Sequence, residues 1–160
     1  MVPVEQVRTA GEHDVGRLVE ITAAFRDASA DERGGRAVHP SDGGGRAPQP
    51  TEDAVAGYVG DPRRTALIGL LDDWTAGAAL CRVDDADGDR RGVLDLCYVE
   101  PGAREVGLGR LLLDCALQWF REQGCTAVDG TAFPGDRQAK QFFESAGFKA
   151  RLLVMHLRLD

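Results

Sequence analysis

The sequence predicts an α/β fold of the α+β kind, a mixed sheet flanked by helices. Two observations carry this reading. After an opening strand and helix, strand-like runs follow one another through short acidic turns, as antiparallel hairpins do. The later half then alternates helix and strand, the pattern of β-α-β units. At 160 residues the chain fits a single domain spanning 1–160, with a flexible loop at about 30–50.

Residues 4–9 alternate apolar and polar side chains and read as the first strand. Residues 12–28 follow as a helix, because Val15, Leu18, Val19, Thr22 and Phe25 recur on one face. The pattern then stops. Arg33-Gly34-Gly35-Arg36 and Ser41-Asp42-Gly43-Gly44-Gly45-Arg46 cannot bury a core, so this stretch is either a binding loop or plain disorder. Thr51 before Glu52 and Asp53 marks a helix start, a capping hydroxyl followed by acids at the positive end of the dipole, and that helix ends near Gly60. Residues 65–71 and 76–83 form an expected antiparallel pair joined through Asp72-Asp73-Trp74. A turn over 84–91 carries Asp87-Gly88 and leads to a strand at 93–99. A helix at 107–123, a strand at 126–132, a helix at 136–145 and a last strand within 151–159 complete the order.

The net charge is −7, from 26 acidic and 19 basic side chains, which disfavours nucleic acid and anionic membranes as partners. An acidic body suits a cationic acceptor such as an amine, although net charge also serves solubility. No apolar run approaches the roughly 20 residues that cross a bilayer, and the first residues lack a basic-then-apolar signal, so a cytoplasmic location is expected. Cys81, Cys97, Cys115 and Cys125 have no metal-like spacing and read as reduced thiols acting as small hydrophobes; neither a metal nor a disulfide framework is expected.

The chemistry concentrates between the 93–99 strand and the helix after it, in Glu100-Pro101-Gly102-Ala103-Arg104-Glu105-Val106-Gly107-Leu108-Gly109-Arg110. Gly107 and Gly109 keep side chains out of the way, so successive backbone N–H groups can face one anion. A helix N-terminus adds unpaired donors, and Arg104 and Arg110 add charge. A diphosphate is the natural ligand. Two rival glycine motifs are excluded. A dinucleotide fingerprint needs a third glycine where Leu112 stands, and a triphosphate loop needs Gly-Lys-Ser/Thr where the chain has Gly109-Arg110-Leu111.

This segment resembles the GNAT superfamily of acetyl-CoA-dependent N-acetyltransferases, whose motif Q/R-x-x-G-x-G/A is met by Arg104, Gly107 and Gly109. Upstream, Asp95-Leu96-Cys97-Tyr98-Val99-Glu100-Pro101 resembles the family's fourth strand and its exit. Downstream, Asp136-Arg137-Gln138-Ala139-Lys140-Gln141-Phe142-Phe143-Glu144-Ser145-Ala146-Gly147-Phe148 resembles its N-x-x-A-x-x-F-Y-E-x-x-G-F segment. The resemblance covers residues 93–148. It implies a GNAT-like, mostly antiparallel sheet whose fourth and fifth strands splay to admit acetyl-CoA or another short acyl-CoA as co-substrate.

The resemblance also implies site residues. Backbone groups of Cys97, Tyr98 and Val99 would pair with the pantetheine arm as an added strand does. Amides of Glu105, Val106, Gly107, Leu108, Gly109 and Arg110 would hold the diphosphate beside Arg104. Asp136 stands for the family's frequent asparagine, and Phe143 would lie beside the cofactor's thiol. The implied reaction is direct transfer in a ternary complex: a neutral amine attacks the thioester, a base takes its proton, and an acid protonates the departing thiolate. Asp95 occupies a position where some relatives carry a glutamate proposed as the base; a solvated or turn-pairing acid is its alternative. Strand alternation would put Asp95, Cys97 and Val99 on one side.

Two departures bear on this. Phe143 replaces the tyrosine that commonly serves as general acid, which passes that role to Tyr98 or to water. Glu105 replaces the usual glycine and sets a carboxylate near the diphosphate. A catalytically weak acyl-CoA-binding regulatory module is the rival reading. Elsewhere, His39 lies in the loop that the resemblance places on the acceptor side, where the loop would act as a lid. Asp129 and Thr131 could face the acceptor or form a satisfied pair, and Trp74 in its hairpin is a candidate contact of a homodimer.

Overall fold

The computed structural model describes residues 2–32, 47–157 and 159. Most of the 30–50 loop, His39 included, lies outside the described residues. The chain divides into two compact units, one of residues 1–26 and 44–131, the other of residues 27–43 and 132–160.

The first unit is built on a five-stranded sheet ordered β1-β2-β3-β4-β5. Its strands are β1 (Glu5–Thr9), β2 (Arg64–Leu71), β3 (Trp74–Ala86), β4 (Asp89–Val99) and β5 (Ala127–Gly130). The first four pair antiparallel, and β4 pairs β5 parallel. The hairpin turns are tighter than the sequence suggests. Asp72 and Asp73 alone link β2 to β3, both at positive φ (48° and 66°), and Asp87-Gly88 links β3 to β4, also at positive φ. Short acidic side chains tolerate that geometry better than branched ones, so strand pairing runs up to each turn.

Helices cover both faces. On one, Leu18 and Ile21 of α1 (Val15–Asp31) and Val55 of α2 (Glu52–Ala56) close over Ile68, Leu80 and Leu96, with Tyr58 in the same cluster. The Thr51 hydroxyl caps α2, accepting from the Ala54 N–H at 3.4 Å. On the other face lies α3 (Leu108–Glu122), burying Leu108, Leu112, Leu113, Ala116 and Phe120. It can approach because the sheet is glycine beneath it. A Cβ on Gly92 would fall 2.4 Å from the Phe120 ring, and one on Gly77 3.1 Å from Leu112.

The second unit contains α4 (Arg137–Ser145). Asp136 caps its start, accepting from the Ala139 N–H at 2.9 Å. Its end is a Schellman stop. Gly147 is left-handed (φ 93°), Phe148 N–H donates to the Phe143 carbonyl, and Gly147 N–H donates to that of Glu144, both at 3.0 Å. The Phe143 and Phe148 rings pack 5.1 Å apart, the apolar contact that accompanies such a stop.

One expected element is absent. Among the described residues of 151–159 no strand forms, and Leu152, Leu153, Val154, Met155 and Leu157 are exposed. Apolar β-prone composition makes a segment fit for a ladder, but a strand exists only where a second strand supplies the hydrogen bonds. Residues 151–157 have no such partner among the described residues.

Candidate active site

The site is best followed along β4. β5 accompanies it only from Arg91 to Leu94, the last pair being Leu94 with Gly130. From Asp95 to Val99 that side of β4 is unpaired among the described residues. The Glu100 N–H donates toward β3, to the Ala76 carbonyl at 2.9 Å. Backbone groups alternate along a strand, so those of Val99 and Cys97 point the other way, to the open edge. Arg104 Nε uses one of them, donating to the Val99 carbonyl at 2.9 Å while its guanidinium lies 5.3 Å from the centre of the Tyr98 ring.

A β-bulge opens this edge. Leu80 pairs with Leu96 and Cys81 with Leu94, so Asp95 is the extra residue. The bulge corrects the alternation expected from sequence. Asp95 turns to the face that holds Leu96 and Tyr58, whereas Cys97, opposite Ala79, turns to the face beneath α3. Burial pushes the Cys97 thiol up to about 12, so it is a neutral, inert group.

Asp95 is only 3% exposed and heavily engaged. The Tyr58 hydroxyl donates to it at 2.6 Å, and Arg82 Nε donates to its two oxygens at 2.9 and 3.1 Å. Arg82 also pairs with Asp84. Burial first, then the Asp95 charge, raise the Tyr58 phenol above its ordinary range. Tyr58 and Arg82 were not legible as site residues: they lie 37 and 13 positions from Asp95 and belong to no motif. Tyr98 sits on the same face, its ring edge-on to Phe25 at 5.8 Å. Asp129 is claimed by Arg91 at 3.5 Å.

After β4 a single turn of 3-10 helix, Pro101–Ala103, leads to the glycine turn. Glu105 is left-handed (φ 69°), and so is Gly107 (φ 95°), the residue that begins α3. No backbone N–H from Glu105 to Arg110 finds a hydrogen-bond partner among the described residues; the first paired one is Leu111, which donates to the Gly107 carbonyl at 3.0 Å. Gly107 offers no capping side chain, and the first turn of α3 holds no acid. Six consecutive donors without a partner among the described residues, at a helix N-terminus, are an arrangement able to bind an anion. Asp136 and Phe143, predicted to face the cofactor, belong to the second unit, where they begin α4 and close its Schellman stop.

Comparison with known proteins bears on this geometry. The family described as "Acetyltransferase (GNAT) family" matches residues 30–148. A mycothiol acetyltransferase of Propionibacterium freudenreichii subsp. shermanii is 30% identical over 112 residues, 70% of this chain and 33% of that protein. The chain thus spans about a third of the length of that relative. Among solved structures, a mutant of the BH1408 protein from Bacillus halodurans superposes with a TM-score of 0.80 at 17% identity, covering 96% of this chain and 99% of the other. A ribosomal-protein-alanine N-acetyltransferase from Brucella melitensis biovar Abortus 2308 gives 0.69 at 14% identity, over 98% and 99% of the two chains. An aminoglycoside acetyltransferase from an uncultured soil metagenomic sample, solved with sisomicin, also gives 0.69, at 15% identity over 98% and 95%. At these identities the structures speak for the fold.

Proposed function

Since this chain belongs to the acetyltransferase (GNAT) family, we propose that it moves an acyl group, acetyl in the first instance, from acyl-CoA to a primary amine by direct transfer in a ternary complex. The observation that carries this reading is the run of N–H groups from Glu105 to Arg110 beside the edge of β4, neither of them paired among the described residues. The first suits a diphosphate; the second suits an extended amide-bearing chain that adds to the sheet. A CoA thioester has both parts joined in that order. When bound it would supply the activated carbonyl, and this chain's contribution is to hold it beside the amine.

Cys97 and Val99 present the backbone donors and acceptors for the arm, and Arg104 and Arg110 place positive charge by the cradle. Asp95 is proposed as the base acting through water. Tyr98, whose hydroxyl has no hydrogen-bond partner among the described residues, is proposed as the proton donor to the thiolate. Asp136 and Phe143 are proposed as further cofactor contacts. The acceptor class is an amine-bearing small molecule or peptide, in keeping with the aminoglycoside and ribosomal-protein acetyltransferases that share the fold.

A regulatory acyl-CoA-binding module is a second reading, favoured by Phe143, which cannot donate a proton. Turnover separates the two. Acetyl-CoA incubated with an amine library should release free CoA with an acetylated product detected by mass; binding without turnover of any amine would favour the module. The cradle has its own test. Gly109→Asp puts a negative side chain in the first turn of α3, and we expect at least a tenfold loss of CoA affinity in the folded protein. Unchanged affinity would move the diphosphate elsewhere.

A further inference from the structure

The placement of Glu5 on β1 is not explained by the strand pattern. β1 alternates, with Glu5 and Val7 half-buried and Gln6 and Arg8 exposed. The half-buried face should be apolar, yet it carries a carboxylate at its first position. That carboxylate has no hydrogen bond or ion pair among the described residues. It lies against the cradle instead: a Cβ on Gly107 would sit 3.7 Å from Glu5 Oε2 and 3.8 Å from Oε1. A half-buried carboxylate without a cation or a donor is unfavourable unless a positive field compensates it. The N-terminal end of α3 supplies that field, with neither a capping side chain nor an acid of its own.

We propose that Glu5 is a built-in placeholder for the diphosphate: it stabilises the uncapped start of α3 in the empty protein and opposes the incoming anion, setting the affinity for acyl-CoA. This rests on the reading of the glycine turn as the diphosphate cradle. The two effects have opposite signs, which separates this role from a merely structural one. Loss of the charge should weaken the empty protein and strengthen the complex. Glu105 adds a second carboxylate at the turn, but it is exposed and so more screened by water and salt than the half-buried Glu5.

The test titrates free CoA into the full chain and its Glu5→Gln, Glu5→Lys and Gly109→Asp variants, with melting of each empty protein. We expect Glu5→Gln to bind CoA roughly three- to tenfold tighter at low salt, from removing one charge a few ångströms from the diphosphate. Glu5→Lys should go further in the same direction. Both gains should shrink toward nothing near 1 M salt, where the screening length is about 3 Å. The empty Glu5→Gln protein should melt lower by about 1–3 °C. If Gly109→Asp abolishes binding while neither Glu5 variant binds tighter at low salt, the placeholder role is overturned and the cradle stands. Should Gly109→Asp leave CoA binding intact, the cradle itself is misplaced and the role of Glu5 falls with it. A tightening that persists undiminished at 1 M salt would also overturn the proposal, because its cause would then not be charge.

Discussion

At the scale of single residues, the site combines strain, close approach and buried charge. Glu105 is held left-handed, a conformation that costs a side-chain-bearing residue about 1–2 kcal/mol relative to glycine. Replacing it with glycine removes that strain while adding unfolded-state freedom, so Glu105→Gly should stabilise the protein by about 0.5 kcal/mol. Thermal melting checks the sign; a lower melting temperature would mean the carboxylate has an unseen favourable partner. Gly92 shows the opposite constraint. Phe120 is fully buried and cannot swing away from a new methyl 2.4 Å distant, so Gly92→Ala should cost about 1–3 kcal/mol by denaturant titration.

Asp95 carries a structural role and a proposed chemical one, and one substitution separates them. Asp95→Asn leaves Arg82 with Asp84 alone and weakens the Tyr58 bond, which should cost about 1–3 kcal/mol of stability. A base role makes a separate demand: kcat falls, the loss narrows at high pH where more amine is neutral, and CoA affinity holds. Wild-type kcat per folded molecule across the pH range would leave Asp95 as the brace of the bulge.

At the scale of elements, the β1-to-α1 junction is held by one carboxylate. Asp14 accepts from Arg8 Nη1 at 2.8 Å and Nη2 at 3.0 Å, and from the Gly11 N–H at 2.8 Å. These bonds, those of Arg8 foremost, hold its pKa below the usual carboxylate value. The depressed pKa means that this stabilisation is fully present above the unfolded value near 3.9 and is lost as pH falls through the folded one. Arg8 is substantially exposed, so the contribution is about 1 kcal/mol. We expect Asp14→Asn to lower stability by about that amount at pH 7, with the deficit narrowing as pH falls below the unfolded carboxylate value. A deficit independent of pH would assign the effect to packing.

At the scale of the whole molecule, the proposed ligand should act as a stabiliser. A co-substrate that binds only the folded chain adds RT ln(1 + [L]/Kd), about 2.7 kcal/mol at a hundredfold excess over Kd. Acetyl-CoA at that excess should raise the melting temperature by several degrees, and Gly109→Asp should cut the shift by about half or more at the same concentration. An unmoved melting temperature in the parent protein would count against acyl-CoA as the ligand.

The elements, and the glycine turn at the strand-to-helix junction, were legible in the sequence because their causes are local. A helix needs an apolar stripe and a cap, as at Thr51 and Asp136, and a tight strand-to-helix turn takes glycine where φ is positive, as at Gly107. Each of those signals lies within a few residues. What only the tertiary structure decided depends on contacts between distant segments. The bulge that turns Asp95 away from Cys97 is a mismatch between two strands, invisible in either alone. Tyr58 and Arg82 reach Asp95 from other elements, and Glu5 meets Gly107 across 102 positions of chain. The strand expected within 151–159 is absent among the described residues for the same reason. Composition determines that a segment is fit to pair, and the presence of a partner determines whether it does.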